Sequence, residues 1–482
     1  MSKADIDPPH LYAAREPIFP RRVHGWFRNL KWIIMAVTLG IYYVTPWIRW
    51  DRGPNLPDQA VLVDLANRRF FFFWVEIWPH EFYFVAGLLV MAGLGLFLFT
   101  SALGRVWCGY ACPQTVWTDL FILTERWVEG DRNARLRLWN EPWSARKLRL
   151  RLEKWAIWLL IALLTGGAWV FYFTDAPTLL RNLLTGQAHP VAYATIATMT
   201  ATTFLFGGFA REQICIYACP WPRIQAAMMD EDTLTVAYRD WRGEPRGKAR
   251  PVAGAAPKGD CIDCMACVNV CPMGIDIRDG QQLACITCAL CIDACDDVMD
   301  KIGKPRGLID YMALKDETAE RAGVAPVAVW RHILRPRTLL YFTLWAGIGV
   351  ALLVALFLRS PFDLNVTPVR NPLYVTMSDG AIRNTYALRL RNKQGEAHDF
   401  AVSVAGADGA SPAGVTVVLE GQPDARLRVP ADMTQTQRLY LTAAPGSALA
   451  EGGQAEVVLW VEDLSDGVKS RIATVFHGRS EK

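Results

Sequence analysis

The chain has 482 residues, and its 51 Lys and Arg against 47 Asp and Glu leave a net charge of only +4. That balance is too small to point to a nucleic-acid partner. A hydrophobic share of 52% with positive mean hydropathy argues against an ordinary soluble domain and predicts a membrane protein, with room for about two to four domains.

The first 30 residues are expected to form a cytoplasmic N-terminal segment. Met1 to Pro20 has neither an apolar core nor a small-residue cleavage site, so it is not expected to be a secretory signal. Five apolar segments then reach the length of about 20 residues that a bilayer crossing needs. They are Lys31–Trp50, Phe82–Leu103, Trp155–Phe173, Val191–Ala210 and Thr338–Leu358, with Trp or Tyr near their ends as in an interfacial belt. Buried core helices are a poor alternative for uninterrupted runs such as LLVMAGLGLFLF and GIGVALLVALFL.

Basic residues orient these spans. Arg21, Arg22, Arg28 and Lys31 flank the first, and Arg132, Arg135, Arg137, Arg146, Lys147, Arg149, Arg151 and Lys154 lie between the second and third. The connection between the third and fourth has only Arg181. The head, the second loop and the insert after the fourth span are therefore expected in the cytoplasm, and the tail outside. The four arginines between Arg49 and Arg69 run against this orientation.

The second and fourth spans end alike. Phe97-Leu98-Phe99 is followed eleven residues on by Cys108-Gly109-Tyr110-Ala111-Cys112-Pro113, and Phe204-Leu205-Phe206, at the same distance, by Cys215-Ile216-Tyr217-Ala218-Cys219-Pro220. The transmembrane part is expected over 31–210, and the two copies, 97–113 and 204–220, form an internal repeat that runs just past it. Residues four apart share a helical face, so each pair can present two sulfurs together, and the Pro after the second Cys is expected to end or bend the helix. Free Cys is commonly a small buried hydrophobe, but two matched pairs beside an electron-carrying module argue for function. Soft thiolates suit Cu(I), zinc or a further Fe–S centre, and a redox dithiol is a further option.

The insert, 211–337, carries Cys261, Cys264, Cys267 and Cys271, then Cys285, Cys288, Cys291 and Cys295. Each half is C-x2-C-x2-C-x3-C, the run with which bacterial ferredoxins hold [4Fe–4S] clusters and whose fourth Cys serves the other cluster. Cys261, Cys264, Cys267 and Cys295 are thus expected around one cluster, and Cys285, Cys288, Cys291 and Cys271 around the other. Zinc would need four thiolates and has no use for a third Cys two residues on. Pro272 follows the first run, whereas Asp296 stands at the matching place after the second, which puts the loop geometry there in question. No Cys is left over for disulfides, so the Cys-bearing parts belong in a reducing compartment.

After the fifth span, 338–358, the tail 359–482 has no Cys, and strand-like alternation appears at Tyr386–Leu390, Val415–Leu419, Arg426–Val429, Arg438–Leu441, Glu456–Val461 and Ile472–Phe476. Short strands with regular turns predict an antiparallel immunoglobulin-like sandwich. The seven His form no facing pair inside the spans, which argues against a bis-His haem, and no P-loop or G-x-G-x-x-G supports a nucleotide or flavin site. The expected fold class is a multi-domain membrane protein: an α-helical transmembrane bundle of about five spans, a two-cluster ferredoxin-like insert and a C-terminal all-β immunoglobulin-like sandwich.

Several stretches together resemble the FixG/CcoG family of cytochrome c oxidase accessory proteins. They are Leu11-Tyr12-Ala13-Ala14-Arg15 with Ile18-Phe19-Pro20-Arg21, Gly104-Arg105-Val106-Trp107 running into CGYACPQTVW, Glu129 to Arg135, the doubled Cys run, and Asn371-Pro372-Leu373-Tyr374. The resemblance implies a multi-pass bacterial inner-membrane protein with two [4Fe–4S] clusters in the cytoplasm and an immunoglobulin-like periplasmic domain. It implies assembly of cbb-type haem–copper oxidases through reduction of Cu(II) to Cu(I), with copper-handling or oxidase-assembly proteins as partners. The expectation is a membrane-bound iron–sulfur oxidoreductase, a cupric reductase, fed by a cytoplasmic electron donor and embedded in lipid. Its catalytic, copper-holding sulfurs would be those of Cys108, Cys112, Cys215 and Cys219; self-association is left open. Membrane quinol dehydrogenases of the periplasmic nitrate reductase type share the C-x3-C-P pairs and both ferredoxin runs but differ by the fifth span and the tail. A non-redox assembly scaffold is the third reading.

Overall fold

The computed structural model describes residues 17–53, 56–247, 258–406, 412–422 and 424–479. The chain divides into two compact units, one of residues 1–48 and 59–352, the other of residues 49–58 and 353–482.

In the first unit, α1 (Trp26–Val44) leads through a 3-10 turn at Thr45–Trp47 to a small antiparallel sheet, β1 (Val61–Asp64), β2 (Arg69–Phe72) and β3 (Val75–Ile77). Then come α2 (Tyr83–Leu103), α3 (Val106–Tyr110), α4 (Pro113–Val128), α5 (Arg132–Asn140) and α6 (Ala145–Thr165). Next are α7 (Ala176–Leu184), α8 (Pro190–Phe204), which continues as a π-helical turn over Leu205–Ala210, and α9 (Trp221–Met228). Strands β4 (Leu234–Tyr238) and β5 (Ile309–Ala313) pair antiparallel. Between them lie α10 (Asp240–Gly243), α11 (Ala266–Val270) and α12 (Leu290–Ile302). The short α13 (Glu317–Arg321) and α14 (Val329–Ile333) lead to α15 (Pro336–Phe357).

Among the described residues, four helical stretches are long and apolar enough to cross a membrane: Tyr83–Leu103, Ala145–Tyr172, Pro190–Ala210 and Pro336–Phe357. The fifth expected crossing, Lys31–Trp50, is not among them. Its helix starts earlier and stops at Val44, and it includes Arg28 and Lys31. Both cations are buried and meet Asp119 of α4 at 3.0 Å. α1 is nevertheless tied down at both ends. At one end Asp293 of α12 accepts the Phe27 and Arg28 backbone N–H groups (3.2 and 2.7 Å), a carboxylate on the positive end of the helix. At the other, Tyr42 Oη donates to the Thr165 carbonyl at 2.6 Å and Tyr172 Oη to the Tyr42 carbonyl at 2.7 Å.

The arginines that ran against the charge count are used locally. Arg69 pairs with Glu76 across β2 and β3 at 3.1 Å and lies 3.9 Å over the Trp78 ring. Arg68 takes a left-handed turn conformation, φ 56°. Arg49 meets Asp58 at 3.6 Å.

The second unit is an antiparallel sandwich. One sheet runs β10 (Val415–Leu419), β12 (Thr434–Ala443), β8 (Ile382–Asn392), β6 (Phe362–Pro368), with β7 (Val375–Thr376) also on β8. The other runs β11 (Arg426–Val429), β9 (His398–Gly406), β13 (Gln454–Asp463), β14 (Lys469–His477). Alternate residues of both, Tyr386, Leu388 and Leu390 against Phe400, Leu459 and Phe476, fill the space between the sheets. The six expected strand segments all fall within strands; β6, β7 and β9 were not expected.

Candidate electron-transfer site

The two ferredoxin runs fold alike. Asp263 and Met265 in the first have φ 56° and 58°, and Thr287 and Ala289, at the same places in the second, have φ 54° and 59°. A left-handed non-glycine residue costs about 1–2 kcal/mol, and here the cost recurs at matched positions. These turns wrap the chain inward around the sulfurs, and Thr287 N–H points at Cys285 Sγ from 3.4 Å. Such loops fit a cubane, whose sulfur ligands accept backbone N–H groups.

Sulfurs of the two runs lie close together. A small cavity of about 20 Å³ is lined by Cys267, Cys271, Cys285, Cys288 and Cys291. Burial pushes the Cys271 thiol up to about 12, and neighbouring Cys288 and Cys285 add to it. Burial also pushes Cys295 up to about 12, helped by Cys267, Asp296, Cys264 and Cys261. Crowded thiols of this kind ionise when a metal centre supplies positive charge. Cys264 is exposed, whereas Cys288 is buried. The loop after Cys295 does differ from the one after Cys271. Without a Pro, α12 runs through Cys295 to Ile302, whereas α11 stops at Val270. Asp296 Oδ1 then accepts the Gly307 N–H at 3.0 Å.

The membrane pairs also converge, though not as two helical faces. Cys108 lies within α3, but Cys112 is extended (ψ 128°) and Pro113 opens α4. Cys215 lies in a π-helical turn, Ile214–Ala218, while Cys219 is extended (ψ 125°) and Pro220 precedes α9. Each Pro therefore starts the next helix, where its missing N–H is no loss, and each second Cys sits in the gap between helices. Burial first, with smaller contributions from Cys112, Cys108 and Cys219, pushes the Cys215 thiol up to about 12. The four sulfurs thus form one group. Cys108 Sγ faces Gln225 Oε1 at 3.1 Å, and fully buried Gln225 donates from Nε2 to Thr100 Oγ1 at 3.2 Å.

This group abuts the second ferredoxin run. Tyr110 Oη donates to the Cys288 carbonyl at 3.2 Å, Tyr311 Oη to the Thr287 carbonyl at 3.0 Å, and Arg105 to the Leu283 carbonyl. Cys108 and Cys215 pack in one apolar cluster with Cys271, Cys288 and Cys291. Arg105, buried, acts electrostatically on Cys108, Cys215 and Cys285 alike. The spacing assigned no role to Arg105, Gly109, Gln225, Asp293 or Asp119, although Arg105 and Gly109 lie in a stretch that carries the family resemblance. Their roles depend on partners far away in the chain, and the Gly within C-G-Y-A-C-P was the one local signal.

A helical membrane part, two cluster-binding loops and a sandwich define a membrane-bound iron–sulfur electron-transfer protein. Residues 210–314 match the family of 4Fe-4S dicluster domains, 84–135 a 4Fe-4S binding domain, and 352–479 the IG-like fold at the C-terminus of FixG. Protein RdxB of Cereibacter sphaeroides is 71% identical over 480 residues, 99% of this chain and 100% of its own. Protein RdxA of the same organism is 64% identical over 97% of this chain and 98% of its own. Nitrogen fixation protein FixG of Rhizobium meliloti is 56% identical over 88% of this chain and 83% of its own. The chain belongs to the FixG family. The crystal structure of a FixG-related protein from Vibrio parahaemolyticus covers 25% of the chain at 19% identity with a TM-score of 0.21, and 100% of its own chain.

Proposed function

We propose that this protein carries electrons from a soluble cytoplasmic one-electron donor to the Cys108/Cys112/Cys215/Cys219 group, where Cu(II) is reduced to Cu(I). The observation that carries the route is the docking of the loop around Cys285 and Cys288 on α3, through Tyr110 and the preceding Arg105. Cys261, Cys264, Cys267 and Cys295 would hold one [4Fe–4S] cluster; Cys285, Cys288, Cys291 and Cys271 would hold the other. When bound, such clusters supply one-electron transfer. Exposed Cys264 marks the first cluster as the entry, and the second lies nearer the membrane sulfurs. Each Cu(II) would accept one electron and each donor molecule release one, without a bond to protein being made or broken. The distribution of basic residues supports a cytoplasmic side of the bacterial inner membrane for the clusters and a periplasmic one for the sandwich, with α1 as a fifth crossing. The product would go to copper-handling proteins that assemble a cbb-type oxidase.

One observation favours a second reading, quinol oxidation. A cavity of about 470 Å³ lined by Phe27, Leu30, Ile34, Phe99, Trp107 and Tyr110, among others, opens beside α3, large and apolar enough for a quinone ring or a lipid chain. Anaerobic titration separates the two. Dithionite-reduced protein should be reoxidised by Cu(II), and oxidised protein should not be reduced by a quinol analogue; the reverse pattern would install the dehydrogenase reading.

A further inference from the structure

We propose that Cys108, Cys112, Cys215 and Cys219 hold a third [4Fe–4S] cluster, which receives electrons from the cluster at Cys285, Cys288, Cys291 and Cys271. The inference rests on the electron route above but not on the identity of the final acceptor.

The count comes first. Of twelve Cys, eight lie in the ferredoxin runs, and the remaining four form the two pairs. The 4Fe-4S binding domain matched at 84–135 contains only Cys108 and Cys112. A cubane needs four ligands, and the fold supplies the other two from the repeat 107 residues on.

Sulfur spacing comes second. Three or four thiolates on a single tetrahedral ion, at about 2.3 Å from the metal, sit under about 4 Å apart. Among the described residues, the one group of three or more candidate ligands whose donor atoms all lie within 4.8 Å is His398, Asp463 and Asp466. That group is taken up by the fold, since Asp463 accepts from Ser465 N–H and Gln394 and pairs with His398. No three of the membrane sulfurs meet that limit, and no three of the ferredoxin sulfurs do. The four membrane sulfurs, like those of the ferredoxin runs, lie outside the spacing of a single-ion thiolate cage.

Charge comes third. Arg105 is only 4% exposed and its Nε is buried without a hydrogen-bond partner, beside Cys108 and Cys285. An unpaired buried guanidinium nitrogen is costly. An oxidised cubane with four thiolates is a dianion, and between two such centres the cation is matched. In the transfer step, one electron leaves the reduced second cluster and enters the oxidised third, with no bond formed or broken. The electron comes from the cytoplasmic one-electron donor.

Iron and acid-labile sulfide per chain, with Mössbauer spectra, test this on the full-length protein purified without oxygen. Three cubanes give about twelve irons and two give about eight. The expected result is about twelve in the parent and about eight in Cys112→Ala/Cys219→Ala, with the two ferredoxin-type clusters still reducible. About eight irons in the parent, or one copper or zinc per chain at these Cys, would overturn the proposal. A parent with three clusters that ignores Cu(II) would sink the copper reading and leave the third cluster standing.

Discussion

Gly109 is packed directly against Cys288. A methyl group in place of its hydrogen would lie 3.0 Å from the Cys288 Cα and 2.6 Å from the Ile286 carbonyl oxygen. Backbone touches backbone there, so the helix carrying the first membrane Cys meets the loop carrying a cluster Cys with no side chain between them.

Gly109→Val should therefore push the two apart. Overpacking of this kind costs about 1–3 kcal/mol, and the larger effect should be on transfer. Both ferredoxin clusters should still be reduced by dithionite while reoxidation by the acceptor slows at least tenfold. Unchanged reoxidation kinetics in a stopped-flow trace would show that this contact is not on the route.

The crossed sulfur grouping separates two variants. Cys271→Ser should damage the cluster beside the membrane sulfurs, and Cys295→Ser the one near exposed Cys264. Spectra of the two variants should differ in which cluster signal is lost, and loss of the same signal in both would contradict the crossover.

How much of this was legible in the sequence depended on range. Spacings within a dozen residues exposed the cluster loops, the repeated pairs and the strands whose alternation is regular. The sheet at β1–β3 was hidden because Phe70, Phe71, Phe72 and Phe73 are consecutive and mask a period of two. Arg28 and Lys31 were legible as charge but not as buried partners of Asp119, which lies 91 residues beyond Arg28. Pro113 and Pro220 were expected as stops and act as starts, because only the three-dimensional path shows that a new helix follows at once.

Glu125 gives a pH prediction. Burial alone would raise its pKa, but Arg211, Arg135 and Lys154 outweigh burial and hold it down at about 2. A carboxylate depressed in the folded state contributes stability that is complete above the ordinary range near 4.5 and is lost as pH falls towards 2. Glu125→Gln leaves three buried cations short of their counterion and should cost about 3–5 kcal/mol. Thermal unfolding in detergent should show the parent losing stability between those pH values and the variant changing much less there. Parallel curves would refute the assignment.

The topology is tested by fusions. A reporter after Lys482 should be active in the periplasm and one near Lys258 in the cytoplasm, because the single crossing between them is α15. Activity on the same side at both positions would remove α15 from the crossings.

The most direct test of the electron route follows the clusters themselves. Dithionite-reduced parent protein is mixed with Cu(II) and the recovery of cluster absorbance is timed, alongside Cys112→Ser and Cys219→Ser. These changes replace a soft ligand by a hard hydroxyl at little cost in volume. The account predicts rapid recovery in the parent and loss of it in both variants, with the two ferredoxin-type clusters intact. Recovery at the parental rate in the variants would mean that electrons leave the protein without reaching the paired sulfurs.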